Sequence, residues 1–345
     1  MIIFSSPPLI KVIFFAIECK YNRKMNCLLL QSMIGTEIDK AKELLLQDEV
    51  VAIPTETVYG LAGNALSEKA VSKIFEAKNR PHFDPLIVHV SGISEVSKYV
   101  EEIPELALNL MENFWPGALT VLLPKKSCVP DLTTSGLKEV GIRIPNHPIT
   151  LELLRTLPFP LAAPSANPFG YISPTSAAHV ADQLGEKIPY ILDGGNCSVG
   201  IESTVLRVQH NEIAILRLGG ISLEDLQHFT SNIHIQQHSS SSPASPGMLT
   251  SHYAPRKPVY VGNIRELMRD FASQKIGVLS FKEDYQIEAQ RFLSKTGSFT
   301  EAAANLFAYL RELDQLDIDV ILAEFLPNEN LGRAINDKLK RASAK

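Results

Sequence analysis

Cysteine is scarce in this chain. Its four cysteines, Cys19, Cys27, Cys128 and Cys197, form no C-x-x-C and no metal-ligand spacing, so they read as reduced thiols of an intracellular protein. Positive charge is not in excess: 33 Lys and Arg face 38 Asp and Glu, a net charge of −5. That excludes a chain held to nucleic acid by bulk charge but leaves a local basic pocket open. The apolar run from Pro8 to Ile17 is broken by Lys11 and is too short to span a bilayer. It lacks the leading charge and small-residue cleavage site of a secretory signal. No Walker A, G-x-G-x-x-G or H-E-x-x-H motif is present. Without G-x-S-x-G, Ser165 in Pro-Ser-Ala-Asn is not a hydrolase nucleophile by motif. No internal repeat is found.

What is there is ordinary in bulk and specific in place. A 45% hydrophobic and 21% charged composition suits a globular protein, and 345 residues are comfortable for two domains. Residues 1–32 read as an extension outside the fold, with Met33 or Met25 as a candidate start and a leader as the alternative. Residues 33–232 read as a main domain and 233–257 as a Ser/Pro linker, marked by Ser239 to Ser242, Pro243, Pro246 and Pro255. Residues 258–345 read as a small α/β domain.

The organising stretch runs from Val50 to Val90. Val50 to Ile53 is a short buried strand stopped by Pro54, with Thr55, Glu56, Thr57, Tyr59 and Gly60 clustered just past its end. A helix follows, with Ser67 as N-cap and Val71, Ile74 and Phe75 on one face. Lys78 and Arg80 close it and Pro81 forbids continuation. Pro85 to Val90 alternates, with Leu86, Val88 and Val90 facing one way and Ile87 and His89 the other. Hydroxyls, two cations and an imidazole thus converge, which suits an anion bearing polar groups.

Further along, Gly35 onward predicts an amphipathic helix through Leu45, and Glu105 to Phe114 another, ended by Trp115-Pro116-Gly117. Strands are expected at Ala118–Leu123, Val140–Pro145, Pro160–Pro164, Gly200–Val208 and Ile213–Leu218. Thr133 to Gly136 reads as a loop. Ser173-Pro174-Thr175 reads as the start of a helix through Leu184. Gly141 beside Arg143 suggests a cation aimed at a ligand across exposed backbone. Beyond the linker, strands are expected at Pro258–Val261 and Ile276–Ser280, and helices at Ile264–Ala272, Thr300–Leu313 and Asn336–Ala342. Interleaved strands and helices make the main domain α/β with a mixed sheet.

Each candidate also has a plain reading. Lys78 and Arg80 suit a polyphosphate, or are a solvated pair at a helix C-terminus. Ser165 and Asn167 offer a hydroxyl and an amide to one ligand, or form a turn. Arg143 and Arg217 read singly as ion-pair partners, His89 as a packed histidine, and Ser203 as a strand residue. Together they favour a ligand, because nearly every main-domain strand ends in hydroxyls or a cation near Gly or Pro.

The ordered blocks PTETVYGL (54–61), K-x-R-P (78–81), PLIVHV (85–90), WPGALT (115–120), GIRIP (141–145), APSAN (163–167), SPT (173–175), ESTV (202–205) and LRLGG (216–220) carry a resemblance. With SPGM…HYAP (245–255) and LGRAI (331–335), the chain resembles the YrdC-like threonylcarbamoyl-AMP synthases in their long, two-domain form. The resemblance covers Gly35 to Ala342. It implies a twisted mixed sheet of the YrdC type around a positively charged cavity, followed by a small Rossmann-like domain.

The resemblance also implies an activity: L-threonine, bicarbonate and ATP give L-threonylcarbamoyl-adenylate and pyrophosphate. A separate transferase complex then uses the product to modify adenosine beside the anticodon of certain tRNAs. Thr57, His89, Arg143, Ser203 and the backbone at Ala163 are implied to hold threonine. Lys78, Arg80, Ser165, Asn167, Ser173 and Arg217 are implied to hold ATP or the adenylate, the four of K-x-R and S-x-N as catalytic residues, with Tyr253 closing the site. Asp84, Glu139 and Phe169 depart from the family pattern; the first two are still assigned to the nucleotide side. Mg²⁺ is expected to travel with ATP rather than in a carboxylate cage. A cytoplasmic enzyme without a membrane segment is implied. The alternatives are a non-enzymatic module binding RNA weakly in the same cavity, against which the thin aromatic content argues, and a transferase acting on carbamoyl phosphate.

Overall fold

The computed structural model describes residues 33–236 and 253–344. The readings for the extension 1–32 and for the linker from Ser239 to His252 lie outside the described residues.

The first sheet has eleven strands: β1 (Ile34–Gly35), β2 (Val51–Ile53), β3 (Gly60–Asn64), β4 (Ile87–His89), β5 (Leu119–Pro124), β6 (Glu139–Arg143), β7 (Leu161–Ala162), β8 (Tyr190–Leu192), β9 (Thr204–Gln209), β10 (Glu212–Arg217) and β11 (Ile233–Ile235). Their order is β1-β8-β2-β3-β7-β4-β6-β5-β9-β10-β11. Parallel pairs such as β4/β6 and β5/β9 occur beside antiparallel ones such as β2/β3 and β5/β6, so the sheet is mixed as expected.

Helices α1 (Ile38–Leu46), α2 (Glu68–Lys78), α3 (Ile93–Val96), α4 (Glu105–Phe114), α5 (Asp131–Thr134), α6 (Pro148–Thr156), α7 (Ala177–Leu184) and α8 (Leu223–Gln227) accompany it. Ser67 caps α2 by accepting the Ala70 N–H, and Asn79 ends it in the left-handed region. Leu86, Val88 and Val90 face the main core, while Ile87 belongs to a separate small cluster with Leu122, Val205 and Leu216. That confirms the alternation read in Pro85 to Val90.

Several local readings are corrected. Helix α7 begins after Ser176, whose Oγ accepts the His179 N–H at 3.3 Å, not at Ser173. The Ser173 to Thr175 segment stays extended because the carbonyls of Pro174 and Thr175 bind the N–H groups of Tyr59 and Cys197. Thr133 lies in the one-turn helix α5, and β9 starts at Thr204 rather than Gly200. The backbone at Gly141 is not exposed: a side chain there would meet Thr120 Cγ2 at 3.1 Å and Leu122 Cδ2 at 3.3 Å. The main sheet extends past residue 232, because β11 pairs in parallel with β10. Strand β3, with two glycines in five residues, gave no strand signal in the sequence.

The second sheet is wholly parallel, in the order β12-β15-β13-β14: β12 (Val259–Val261), β13 (Ile276–Ser280), β14 (Gln290–Phe292) and β15 (Val320–Ala323). Helices α9 (Ile264–Asp270), α10 (Phe299–Gln315) and α11 (Gly332–Ala342) cover it. Its core takes in Val58, Ile172 and Ile201 from loops of the first sheet, together with Tyr253. Gly200 lets this happen. It has φ +76°, and a Cβ there would lie 2.4 Å from Ala304 Cα of α10. Arg311 on α10 donates to the Ile172 and Ser173 carbonyls, and Arg333 pairs with Glu224 at 2.5 Å.

Candidate active site

A small cavity opens where loops leave β2, β4, β6, β7 and β10 and enter β3 and β9. Thr55, Thr57, His89, Arg143, Ala163, Ser165, Ser203, Arg217, Arg80, Glu202 and Tyr253 all line it. The expected threonine-side residues are thus brought together with four of the nine expected on the nucleotide side, Arg80, Ser165, Arg217 and Tyr253.

The register of β4 and β6 sets His89 directly opposite Arg143. Arg143 is held on both flanks: its Nε donates to the Gly117 carbonyl at 3.1 Å, and Nη2 lies 2.7 Å from Glu56 Oε1. Glu56 is itself fixed, its Oε2 accepting the Asn146 N–H at 3.0 Å. A guanidinium so anchored presents its remaining N–H groups in a fixed plane, which suits a carboxylate. Burial, then the charge of Arg143, pushes the His89 imidazole down to about 3, so it is neutral at physiological pH. Among the described residues, its buried Nδ1 has no hydrogen-bond partner. Thr55 Oγ1 lies 2.8 Å from Thr57 Oγ1 and donates to the Val58 carbonyl at 2.7 Å, fixing the turn that presents Thr57.

On another wall, Arg217 Nη2 donates to Ser203 Oγ at 2.9 Å and its Nε to the Ser203 carbonyl at 3.0 Å. Ser203 Oγ is 2.7 Å from Thr120 Oγ1. Arg80 Nη2 lies 2.8 Å from Asp84 Oδ2 and donates to the Pro85 carbonyl at 2.9 Å. Asp84 therefore anchors Arg80 from behind and does not line the cavity.

Lys78 is placed differently from the sequence reading. It does not line the cavity; its buried amine donates to the Ser165 carbonyl and, at 2.5 Å, to the Asn167 carbonyl. Burial, then Arg80, drives its pKa well down. Lys78 thereby straps the S-x-N loop to the end of α2. Asn167 also sits behind the lining: Nδ2 donates to the carbonyls of Pro168 and Tyr171 at 2.8 Å each, and its buried Oδ1 has no hydrogen-bond partner among the described residues. Ser173 is buried outside the lining and donates to Glu202 Oε1 at 2.6 Å.

Glu139 is taken away from the site. It stands at the start of β6, four residues from Arg143, where Arg207 Nε holds its two carboxylate oxygens at 2.8 and 2.9 Å. Three contributors were missed by sequence reasoning: Glu56 as the anchor of Arg143, Thr120 as the partner of Ser203, and Lys338, whose Nζ lies 3.6 Å from Glu202 Oε2. Glu56 lay within a cluster already singled out; Lys338 had no local signal. Tyr253 is buried against Phe307, ring centroids 5.3 Å apart, and has φ +66°. Among the described residues, no group of three or more His, Cys, Asp or Glu could hold a metal ion. No described helix is long and apolar enough to cross a membrane.

Comparison with known proteins adds a second line. Residues 43–219 match the Sua5/YciO/YrdC family model, described as "Telomere recombination", and residues 221–344 match "Threonylcarbamoyl-AMP synthase, C-terminal domain". A threonylcarbamoyl-AMP synthase of Bacillus subtilis (strain 168) is 41% identical over 324 residues, covering 89% of this chain and 93% of the relative. One from Pyrococcus abyssi is 41% identical over 318 residues, covering 88% and 93%. The crystal structure of P. abyssi Sua5 complexed with L-threonine superposes with a TM-score of 0.84 at 38% identity, over 90% of this chain and 97% of that one.

Proposed function

We propose, from the premise that this chain belongs to the Sua5/YciO/YrdC family and carries its threonylcarbamoyl-AMP synthase C-terminal domain, that it is an ATP-dependent L-threonylcarbamoyl-adenylate synthase. Threonine and bicarbonate condense to a carbamate with loss of water. A carbamate oxygen attacks the α-phosphorus of ATP, the bond to the bridging oxygen breaks, and pyrophosphate leaves. A separate transferase complex passes the threonylcarbamoyl group to tRNA adenosine, and the enzyme acts in the cytoplasm.

The observation that carries this reading is the convergence of three buried arginines, each anchored from behind, on one cavity. Arg143 grips the threonine carboxylate, with neutral His89, Thr57, Ser203 and the Ala163 backbone around the rest of the amino acid. Arg80 and Arg217 face the phosphates, where charge builds during displacement, and need no covalent nucleophile. Ser165 offers its hydroxyl beside them. Asn167, Ser173 and Lys78 support that wall from behind, and Tyr253 closes it. The carboxylates at the cavity, Glu56, Asp84 and Glu202, are each ion-paired. Mg²⁺ would therefore be held by the phosphates it arrives with, supplying charge neutralisation there.

An RNA-binding module is disfavoured because Arg80, Arg143 and Arg217 are only 7%, 4% and 5% exposed, too recessed for a phosphate backbone. The test is pyrophosphate release from ATP and bicarbonate. Release that requires threonine is expected; equal release without threonine would overturn the reading.

A further inference from the structure

Glu202 is the one acid lining a cavity whose other charged lining groups, among the described residues, are Arg80, Arg143 and Arg217, together with neutral His89. A carboxylate there opposes an anionic ligand. The two acids behind the lining, Asp84 and Glu56, are paired within the first sheet's own unit. Glu202 Oε1 accepts from Ser173 of its own unit at 2.6 Å, but its cationic partner comes from the other unit. Lys338 on α11 is fully enclosed, its Nζ 3.6 Å from Glu202 Oε2, 2.9 Å from the Leu218 carbonyl to which it donates, and 5.3 Å from the centre of the Tyr253 ring. Asp337, its sequence neighbour, lies farther, at 4.0 Å, and receives a hydrogen bond from Arg341 at 2.9 Å. Burial lowers the Lys338 pKa, and Glu202 is the leading charge that opposes this. At 3.6 Å the pair acts by charge rather than through a directed hydrogen bond.

We propose that Lys338 is a positioning residue for the anionic substrate: it cancels the charge of the Glu202 carboxylate, which Ser173 holds in place, so the second unit sets the affinity of the cavity for polyphosphate. The identity of that substrate as ATP rests on the proposed function; the sign of the effect does not. Binding of inorganic tripolyphosphate to the full chain, measured by calorimetry, tests it with Glu202→Gln, Lys338→Met and the double variant.

The expected order is Glu202→Gln tightest, wild type and the double variant within about threefold of each other, and Lys338→Met weakest by about tenfold. A double variant as weak as Lys338→Met, or Glu202→Gln binding no more tightly than wild type, would overturn the proposal. Should Lys338→Met not fold, the comparison of Glu202→Gln with the double variant carries the test, and equal binding by those two overturns it. Threonine-dependent pyrophosphate release by the wild type is measured alongside. Its absence with the order intact would remove the synthase and leave the charge device; its presence with the order broken would do the reverse.

Discussion

The two sheets end differently. In the second, the polar groups past the strands are spent on each other. Glu324, directly after β15, accepts the Phe281 N–H at 2.7 Å and the Tyr285 hydroxyl at 3.2 Å. Gln290 donates to Ser280 Oγ at 2.8 Å, and Ser294 donates to Glu301 at 2.5 Å. In the first sheet the corresponding groups are held but not exhausted. His89 Nδ1 in the cavity wall and Asn167 Oδ1 just behind it are buried and have no hydrogen-bond partner among the described residues. Buried polar atoms are normally satisfied, so such atoms gathered around one cavity mark where a ligand belongs. Parallel strand ends permit a site; unspent hydrogen bonds locate it.

The strongest way to sharpen that contrast is to alter one group at each sheet. Arg143→Lys keeps the charge but loses the planar fork, and kcat/KM for threonine is expected to fall about 100-fold with little change in Tm. Glu324→Gln should do the opposite, lowering stability by about 1 kcal/mol in thermal unfolding while leaving both KM values alone. A Glu324→Gln enzyme with impaired KM would erase the distinction.

A pH series gives an intermediate effect. His89 is depressed to about 3 and His179 to about 4, both mainly by burial. A group whose folded pKa lies below its unfolded value of about 6.5 stabilises fully above that value and loses its contribution as pH falls towards the folded pKa. Tm should therefore drop between about pH 6.5 and 4, less steeply in His89→Asn, whereas threonine KM should show no His89 titration between about pH 6 and 8. An unchanged Tm slope in the variant would contradict the neutral, enclosed imidazole.

The smallest effect is expected at Glu139→Ala. The half-buried pair with Arg207 is worth about 0–1 kcal/mol, and ATP KM should stay within about twofold of wild type. A larger rise would return Glu139 to the nucleotide side, where the family resemblance had implied it.

Much of the site was legible because it is built from strand ends with local signals. The alternation of Leu86, Ile87, Val88 and His89 told which side chains share a face, and a parallel pairing then fixed Arg143 beside His89. Pattern could not tell which polar groups touch a ligand and which support those that do. Lys78 and Arg80 look equivalent in K-x-R, yet Asn79 in the left-handed region separates them, sending one amine into the S-x-N loop. The glycine at 141 looked like bare backbone, but side chains of β4 and β5 lie across it. Lys338 was illegible for a stronger reason, since its partner belongs to the other sheet's unit and no periodicity links them.

The loops bearing Val58, Ile172 and Ile201 have a consequence for any shortened version of the chain. These three side chains are buried in the cluster that the other unit's core dominates, so a fragment ending at residue 236 would be born with a greasy scar that reaches the cavity at Val58. A lineage or an engineer wishing to discard the C-terminal half would have to repaint those loops first.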